Sequence, residues 1–169
     1  MNTIVIRALE PSEWEILREF RLASLRDAPG VFATGYDAAA MWLPDDWRAE
    51  TKGPDHQVFG LFDEKRLIGI TATFTYRGDP TGQTALLAMS FILPPYRGRG
   101  LSRMFYEARL AWIWAQPQFR RVIVSHRKSN EASRRANQRH GFVQTSTASH
   151  TWPDGETEDE IFYELEISN

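Results

Sequence analysis

A chain of 169 residues is ordinary for one compact domain, and that length can bury most of its apolar surface in a single core. With 42% hydrophobic and 25% charged residues there is no compositional case for disorder, collagen or a membrane protein, and a net charge of −2 without a long basic run argues against nucleic acid as a partner. The absence of cysteine excludes a disulfide framework, a thiolate metal site and a cysteine nucleophile, and fits the reducing cytoplasm.

The opening segment, Met1-Asn2-Thr3-Ile4-Val5-Ile6-Arg7, lacks the basic flank and long apolar stretch of a signal peptide, so neither export nor anchoring is expected. Ile4, Ile6 and Ala8 alternate with Val5 and Arg7 and predict a first strand, closed by Glu10-Pro11-Ser12. From Ser12 to about Arg26, Ile16, Leu17, Phe20 and Ala23 share one helical face, and Asp27-Ala28-Pro29-Gly30 ends that helix. A shorter helix is expected from Asp45 to about Glu50.

Two β-rich runs, Val58 to Phe62 and Leu67 to Tyr76, flank the polar turn Asp63-Glu64-Lys65-Arg66 and predict a hairpin. A polar loop with Gly78, Pro80 and Gly82 follows. The run from Ala85 to Leu93 is nearly continuous in apolar residues; too short to span a bilayer, it predicts a central strand covered on both faces. Pro94-Pro95 ends it, and a helix starting near Gly100 to Ser102 carries Leu101, Met104, Phe105, Ala108 and Trp112 on one stripe until Gln116-Pro117. Arg121 to Ser125 predicts a short strand, Asn130 to His140 a helix ended by Gly141, and Phe142 to Thr151 another strand. Trp152-Pro153-Asp154-Gly155 supplies the turn into a last strand, in which Ile161, Tyr163, Leu165 and Ile167 alternate. No repeat or linker interrupts this order, which predicts one domain over 1–169.

The segment Tyr96-Arg97-Gly98-Arg99-Gly100-Leu101-Ser102 lies between the buried strand and an amphipathic helix. Two glycines there let main-chain N–H groups approach a ligand closely, and the helix start adds its positive dipole end, an arrangement suited to a pyrophosphate. Arg97 and Arg99 add countercharge. A basic turn that binds nothing has the same local pattern. A P-loop would need a Gly-Lys-Ser/Thr ending, and a dinucleotide fingerprint a third glycine with a following acidic residue; neither template fits.

With Arg97, Gly100 and Ser102 on its three positions, the segment resembles the acyl-CoA-binding motif of the GNAT superfamily of N-acetyltransferases, Gln/Arg-x-x-Gly-x-Gly/Ala, with Ser102 where Gly or Ala is commoner. Phe91-Ile92-Leu93-Pro94 directly before it, and Asn130 followed by Gly141-Phe142, extend the resemblance, and the order of elements resembles the family across nearly the whole chain. The resemblance implies acetyl-CoA as cosubstrate. It implies that main-chain groups of Phe91, Ile92 and Leu93 pair with the pantetheine arm as an added strand would, and that the N–H groups of Gly98, Arg99, Gly100, Leu101 and Ser102 hold the pyrophosphate. Asn130, Ser133 and Arg134 would flank the arm from the other side. Asn137 stands where many family members carry a tyrosine that protonates the departing thiolate, and an amide cannot do so. An ordinary thiol has a pKa of about 8.5, so the thiolate is already a tolerable leaving group.

The amine is the harder problem, because an alkylamine with a pKa of about 10 must shed a proton before it attacks. His126, just past the strand whose end should face the thioester, is the first choice for that role, although a histidine at a strand end is also a common structural group. Ser125 and Ser90 are alternative relays through water. The Ile92 N–H is the expected donor to the oxyanion. Phe32, Tyr36, Trp42 and Trp47 read as core before they read as an acceptor pocket, and Glu156, Glu158, Asp159 and Glu160 read as a solvated run before a lure for a cationic amine. Four scattered histidines offer no ligand-spaced pair, so no metal is expected.

The expected fold is α/β (α+β): a GNAT-like mixed, mostly antiparallel sheet of six or seven strands with helices on both faces, split between the fourth and fifth strands. The expected reaction is direct acetyl transfer to a primary amine of a small molecule. Protein N-termini or lysines are alternative acceptors, a non-catalytic acyl-CoA sensor is the alternative from another class, and a homodimer is compatible with either.

Overall fold

A computed structural model describes residues 3–168. Met1 and Asn2, which begin the segment without a signal-peptide pattern, lie outside the described residues, as does Asn169. In chain order the elements are β1 (Ile4–Ala8), α1 (Trp14–Asp27), α2 (Tyr36–Ala40), α3 (Pro44–Thr51), β2 (Lys52–Gly53), β3 (His56–Asp63), β4 (Arg66–Thr75), β5 (Thr84–Ile92), α4 (Ser102–Trp114), β6 (Arg121–Arg127), α5 (Glu131–Arg139), β7 (Val143–Thr151) and β8 (Thr157–Glu166).

Seven strands run side by side in the order β1-β3-β4-β5-β6-β8-β7, and the two-residue β2 adds to β3. Every pairing is antiparallel except β5 with β6. This is the mixed sheet the sequence predicts, with helices on both faces. Two elements were not expected: α2 and β2 are five and two residues long, too short for hydrophobic periodicity to register.

One core layer joins α1–α3 to the sheet through Leu17, Leu25, Trp47, Ile70, Ala72 and Phe91. The other packs α4 on the opposite face through Tyr106, Leu110, Ile113, Val122, Val124 and Tyr163. Each fully buried Leu or Ile contributes about 1.5–3 kcal/mol, so these layers rather than helix propensity hold the helices in place. The buried line of α1 is Leu17, Arg21, Ser24 and Leu25, at i, i+4, i+7 and i+8. It is rotated from the expected Ile16-Leu17-Phe20-Ala23 face, and Ile16 is exposed. On α4 the buried line is likewise shifted, to Phe105, Tyr106, Arg109, Leu110 and Ile113. β7 lies at the sheet edge and is exposed along most of its length, which explains its polar sequence.

β5 carries the feature that positions the site. Ile70 pairs with Phe91 and Ala72 with Ala88, so Thr71 alone opposes Met89 and Ser90. The extra residue is a β-bulge, and Met89 takes a left-handed backbone with φ of 62°. Before the bulge Leu87 packs in the α4 layer; within it Met89, and after it Phe91, pack in the α1 layer. Ser90 Oγ lies 2.8 Å from Thr71 Oγ1 and accepts from Arg109 Nη1 at 3.0 Å, tying the bulge to β4 and α4.

Candidate active site

β5 and β6 pair only at Thr84↔Arg121, Ala85↔Val122 and Leu86↔Ile123, and the ladder stops before the bulge. From there the strands part, which leaves the later peptide groups of β5 without a neighbour on that side. The split thus lies between the strands where it was expected.

The Leu93 N–H donates to Ile68 O at 2.9 Å, and Gly69 stands opposite Ile92. In an antiparallel ladder this assigns the peptide groups of Phe91 and Leu93 to β4 and turns those of Ile92 to the open side. Of the three residues expected to face an added strand, only Ile92 does so. Its carbonyl already accepts from Arg97 Nε at 2.8 Å, so its N–H is the free group there.

The bend after β5 is built on Gly98 and Gly100, with φ of 73° and 74°, and a Cβ at either would meet no atom within 4 Å. Among the described residues, the N–H groups of Gly98, Arg99, Gly100, Leu101 and Ser102 donate to no protein acceptor. Five successive donors without acceptors thus precede or open α4, beside open space at Gly98 and Gly100, a composition that suits an anion. Arg97 lies over the Phe91 ring and Arg99 over Tyr96, at 4.9 and 5.3 Å from the ring centroids. Across the split Asn130 caps α5, its Oδ1 accepting from the half-buried Ser133 N–H at 3.2 Å, while Arg134 is paired with Glu131.

The expected proton-handling residues Ser125 and His126 both line one cavity but are bonded differently. His126 lies inside β6 rather than beyond its end, is 5% exposed, and has Nδ1 2.7 Å from Arg127 O and Nε2 3.2 Å from Tyr163 Oη. Both ring nitrogens are therefore engaged by the protein. Ser125, the neighbouring residue, turns to the α1–α3 side, where its hydroxyl donates to Glu160 Oε1 at 2.5 Å. Asn137 is buried on α5 and accepts from the Tyr106 hydroxyl at 2.5 Å, while its Nδ2 has no partner. Burial pushes the Tyr106 phenol up, so it stays a donor.

On the α1–α3 side a cavity of about 690 Å³ reaches β5 at Leu86–Met89 and β6 at Ile123, Ser125 and His126. Phe32, Trp42 and Trp47 line it while also packing in the core, so the two readings of these aromatics coincide; Tyr36 packs on the core outside the lining. Glu160 and Glu158 are not merely solvated. Glu160 lines the cavity, and Glu158 pairs with Arg127 Nε at 2.5 Å. Arg127 also holds Asp154 at 2.5 Å and the Gly30 carbonyl at 3.2 Å, clasping the loop that bears Phe32 to the β7–β8 turn. A side chain at Gly30 would collide with that clasp. Sequence reasoning missed Arg21, Glu50 and Arg109. Arg21 and Glu50 line the cavity, and Arg109 is 2% exposed beneath the bulge, where burial lowers its pKa to about 10. A charged residue at a core-facing helical position was the available signal for Arg21 and Arg109.

A family model described as an acetyltransferase (GNAT) domain matches residues 4–143. The chain belongs to the GNAT acetyltransferases. A GNAT-family acetyltransferase from Streptococcus pneumoniae is 19% identical, with a TM-score of 0.83 over 98% of this chain and 100% of that one. A Salmonella typhimurium chain solved with its cofactor acetyl-CoA is 14% identical, with a TM-score of 0.82 over 99% of this GNAT chain and 95% of its own. A ribosomal-protein alpha-N-acetyltransferase in complex with coenzyme A is 15% identical, at a TM-score of 0.76 over 99% and 96% of the two chains. At such identities the likeness speaks for the shared GNAT fold. No curated protein gives a significant sequence match. Among the described residues no cluster of His, Asp and Glu could hold a metal, and no helix is long and apolar enough to cross a membrane.

Proposed function

We propose that this GNAT chain acts over its whole length as one acyl-transfer unit, moving an acetyl group from acetyl-CoA to a primary amine of a small molecule. The observation that carries the reading is the run of unpaired N–H groups from Gly98 to Ser102, set at the mouth of the split between β5 and β6. Those five donors fit a diphosphate, and the Ile92 N–H, turned to the open side, fits a carbonyl oxygen as negative charge develops on it. Acetyl-CoA, bound there, supplies the activated acetyl group as a thioester.

The residues of the chain divide the remaining tasks. Gly98–Ser102 bind, Asn130 with Ser133 borders the other side of the groove, and the cavity beyond Leu86–Met89 admits the amine. The proton lost from the ammonium passes to the Glu160 carboxylate, directly or through the Ser125 hydroxyl bonded to it. His126, with both nitrogens occupied, is assigned the support of β6 instead. Ser125, bonded to the Glu160 carboxylate, serves in this reading as a proton relay rather than a nucleophile, and the amine attacks the thioester directly. The cytoplasm, where acyl-CoA is abundant, is the setting this reading supposes.

The test is thiol release from acetyl-CoA across polyamines, amino acids, aminoglycosides and peptides. Release with a small amine supports the proposal. Release with peptides alone moves the acceptor to protein N-termini or lysines, and heat stabilisation by coenzyme A without turnover identifies a sensor.

A further inference from the structure

Two donors that belong to cavity-lining residues have no acceptor. Arg21 Nη1 and Trp47 Nε1 are buried without a hydrogen-bond partner, on residues 7% and 1% exposed, and both residues line the cavity. Buried N–H groups are normally paired, and a buried cation is normally matched by an anion. Arg21 has neither. Its guanidinium lies over the Phe32 ring, 4.4 Å from the centroid, and Glu50 reaches it only through space.

The rest of the lining narrows what could supply the missing oxygens. Phe32, Trp42, Trp47, Phe74, Trp152 and Phe162 form walls suited to an apolar body. The acidic groups, Glu50 on α3, Asp55 before β3 and Glu160 on β8, suit an ammonium, and Glu160 is the one bonded to Ser125 on β6 beside the split. The cavity therefore presents Arg21 on α1 and Arg77 after β4 as cations, and Glu160 as the carboxylate bonded to Ser125; of the two cations, Arg21 is the one with a buried unpaired donor.

We infer that the acceptor is an amine that also carries a carboxylate on an apolar body, of the α-amino-acid kind, and that Arg21 holds the carboxylate with the Trp47 indole N–H as second donor. This rests on the acyl-transfer reading of the same cavity. Arg21 acts as a specificity residue: it orients the acceptor so that the amine, and not the carboxylate, lies toward Ser125 and Glu160. A protein N-terminus, whose α-carboxyl is tied up in a peptide bond, lacks the group that Arg21 would pair with.

The experiment compares an apolar α-amino acid, its carboxamide and the corresponding decarboxylated amine as acceptors for the wild type, Arg21→Gln and Arg21→Lys, with coenzyme A titrated into each protein by calorimetry. The wild type is expected to prefer the amino acid over both analogues by about 10- to 100-fold in kcat/KM, in line with a charge-assisted bidentate contact. Arg21→Gln is expected to bring that ratio near one, Arg21→Lys to restore part of it, and coenzyme A affinity to stay within about twofold in both. Equal use of the three acceptors by the wild type, or a ratio untouched in Arg21→Gln, overturns the inference while leaving acetyl transfer standing. If none is acetylated, the same acceptors are titrated into the coenzyme A complex. Heat from the amino acid and not from its amide then upholds the carboxylate site although acetyl transfer has failed, and no heat from the amino acid overturns it.

Discussion

Tyr106 on α4 donates its hydroxyl to Asn137 on α5 at 2.5 Å, so the Asn137 amide is engaged as an acceptor. The phenol is also stacked on His140, with ring centroids 3.9 Å apart. Tyr106→Phe keeps the stacking and leaves the Asn137 amide without any protein partner. The expected cost is about 1–3 kcal/mol of folding stability, read from urea unfolding, with coenzyme A affinity little changed.

Valine at Gly98 or Gly100 should cost about 1–2 kcal/mol each, because both positions are left-handed, although the added side chain meets no neighbour. The chain relieves that strain by rotating the adjoining peptides, which misdirects the donors of the bend. Coenzyme A affinity should fall by at least about tenfold, a change of about 1.4 kcal/mol, while the melting temperature moves only a few degrees. Calorimetry on the two variants checks this.

Burial holds the Glu50 carboxyl above the ordinary carboxylate range against the pull of His56, Arg21 and Arg77. A carboxyl whose folded pKa exceeds its unfolded one stabilises the fold below the unfolded pKa, and that contribution is lost as pH rises through the folded value. Glu50→Gln should therefore lack this step and be at least as stable as the wild type at neutral pH. Melting curves from about pH 4 to about pH 8 test the sign, and a variant less stable only at the neutral end would refute it.

Arg127→Met releases Glu158, Asp154 and the Gly30 carbonyl together and frees the loop that carries Phe32 into the cavity wall. The KM for the amine acceptor should rise about three- to tenfold while coenzyme A affinity holds, since the bend at Gly98 lies beyond that clasp. Steady-state kinetics with each substrate varied in turn separates the two.

The strand and helix order was legible because Ile4–Ala8 alternates, Ala85–Leu93 is a bounded apolar run and the α4 region carries a helical apolar stripe, and the bend was legible because two glycines and two arginines stand between that run and that helix. The bulge was not. Ala85 to Leu93 is apolar at nearly every position, so an extra residue leaves no mark on the pattern, and the reversal of faces at Met89 and Ser90 exists only in the pairing with Thr71. The cavity was half legible. Phe32, Trp42 and Trp47 drew notice as aromatics; Arg21, four residues past Leu17, carried a signal that went unread, and Glu50 looked like ordinary helix surface until α3 was packed on the sheet. His126 was expected beyond the strand, which instead runs two residues past Ser125 to Arg127 and takes in the histidine, with both its ring nitrogens bonded.

The one-residue offset in β5 makes the length of that strand as binding as its chemistry. Removing or adding a single position between Leu86 and Phe91 would shift the phase of everything downstream, sending Phe91 toward α4 and Ile92 toward α1, and would rotate the Ile92 N–H from the gap into the ladder with β4. Point changes in this stretch can be absorbed by repacking. A change in count cannot, so spacing is the property to hold fixed when this strand is redesigned.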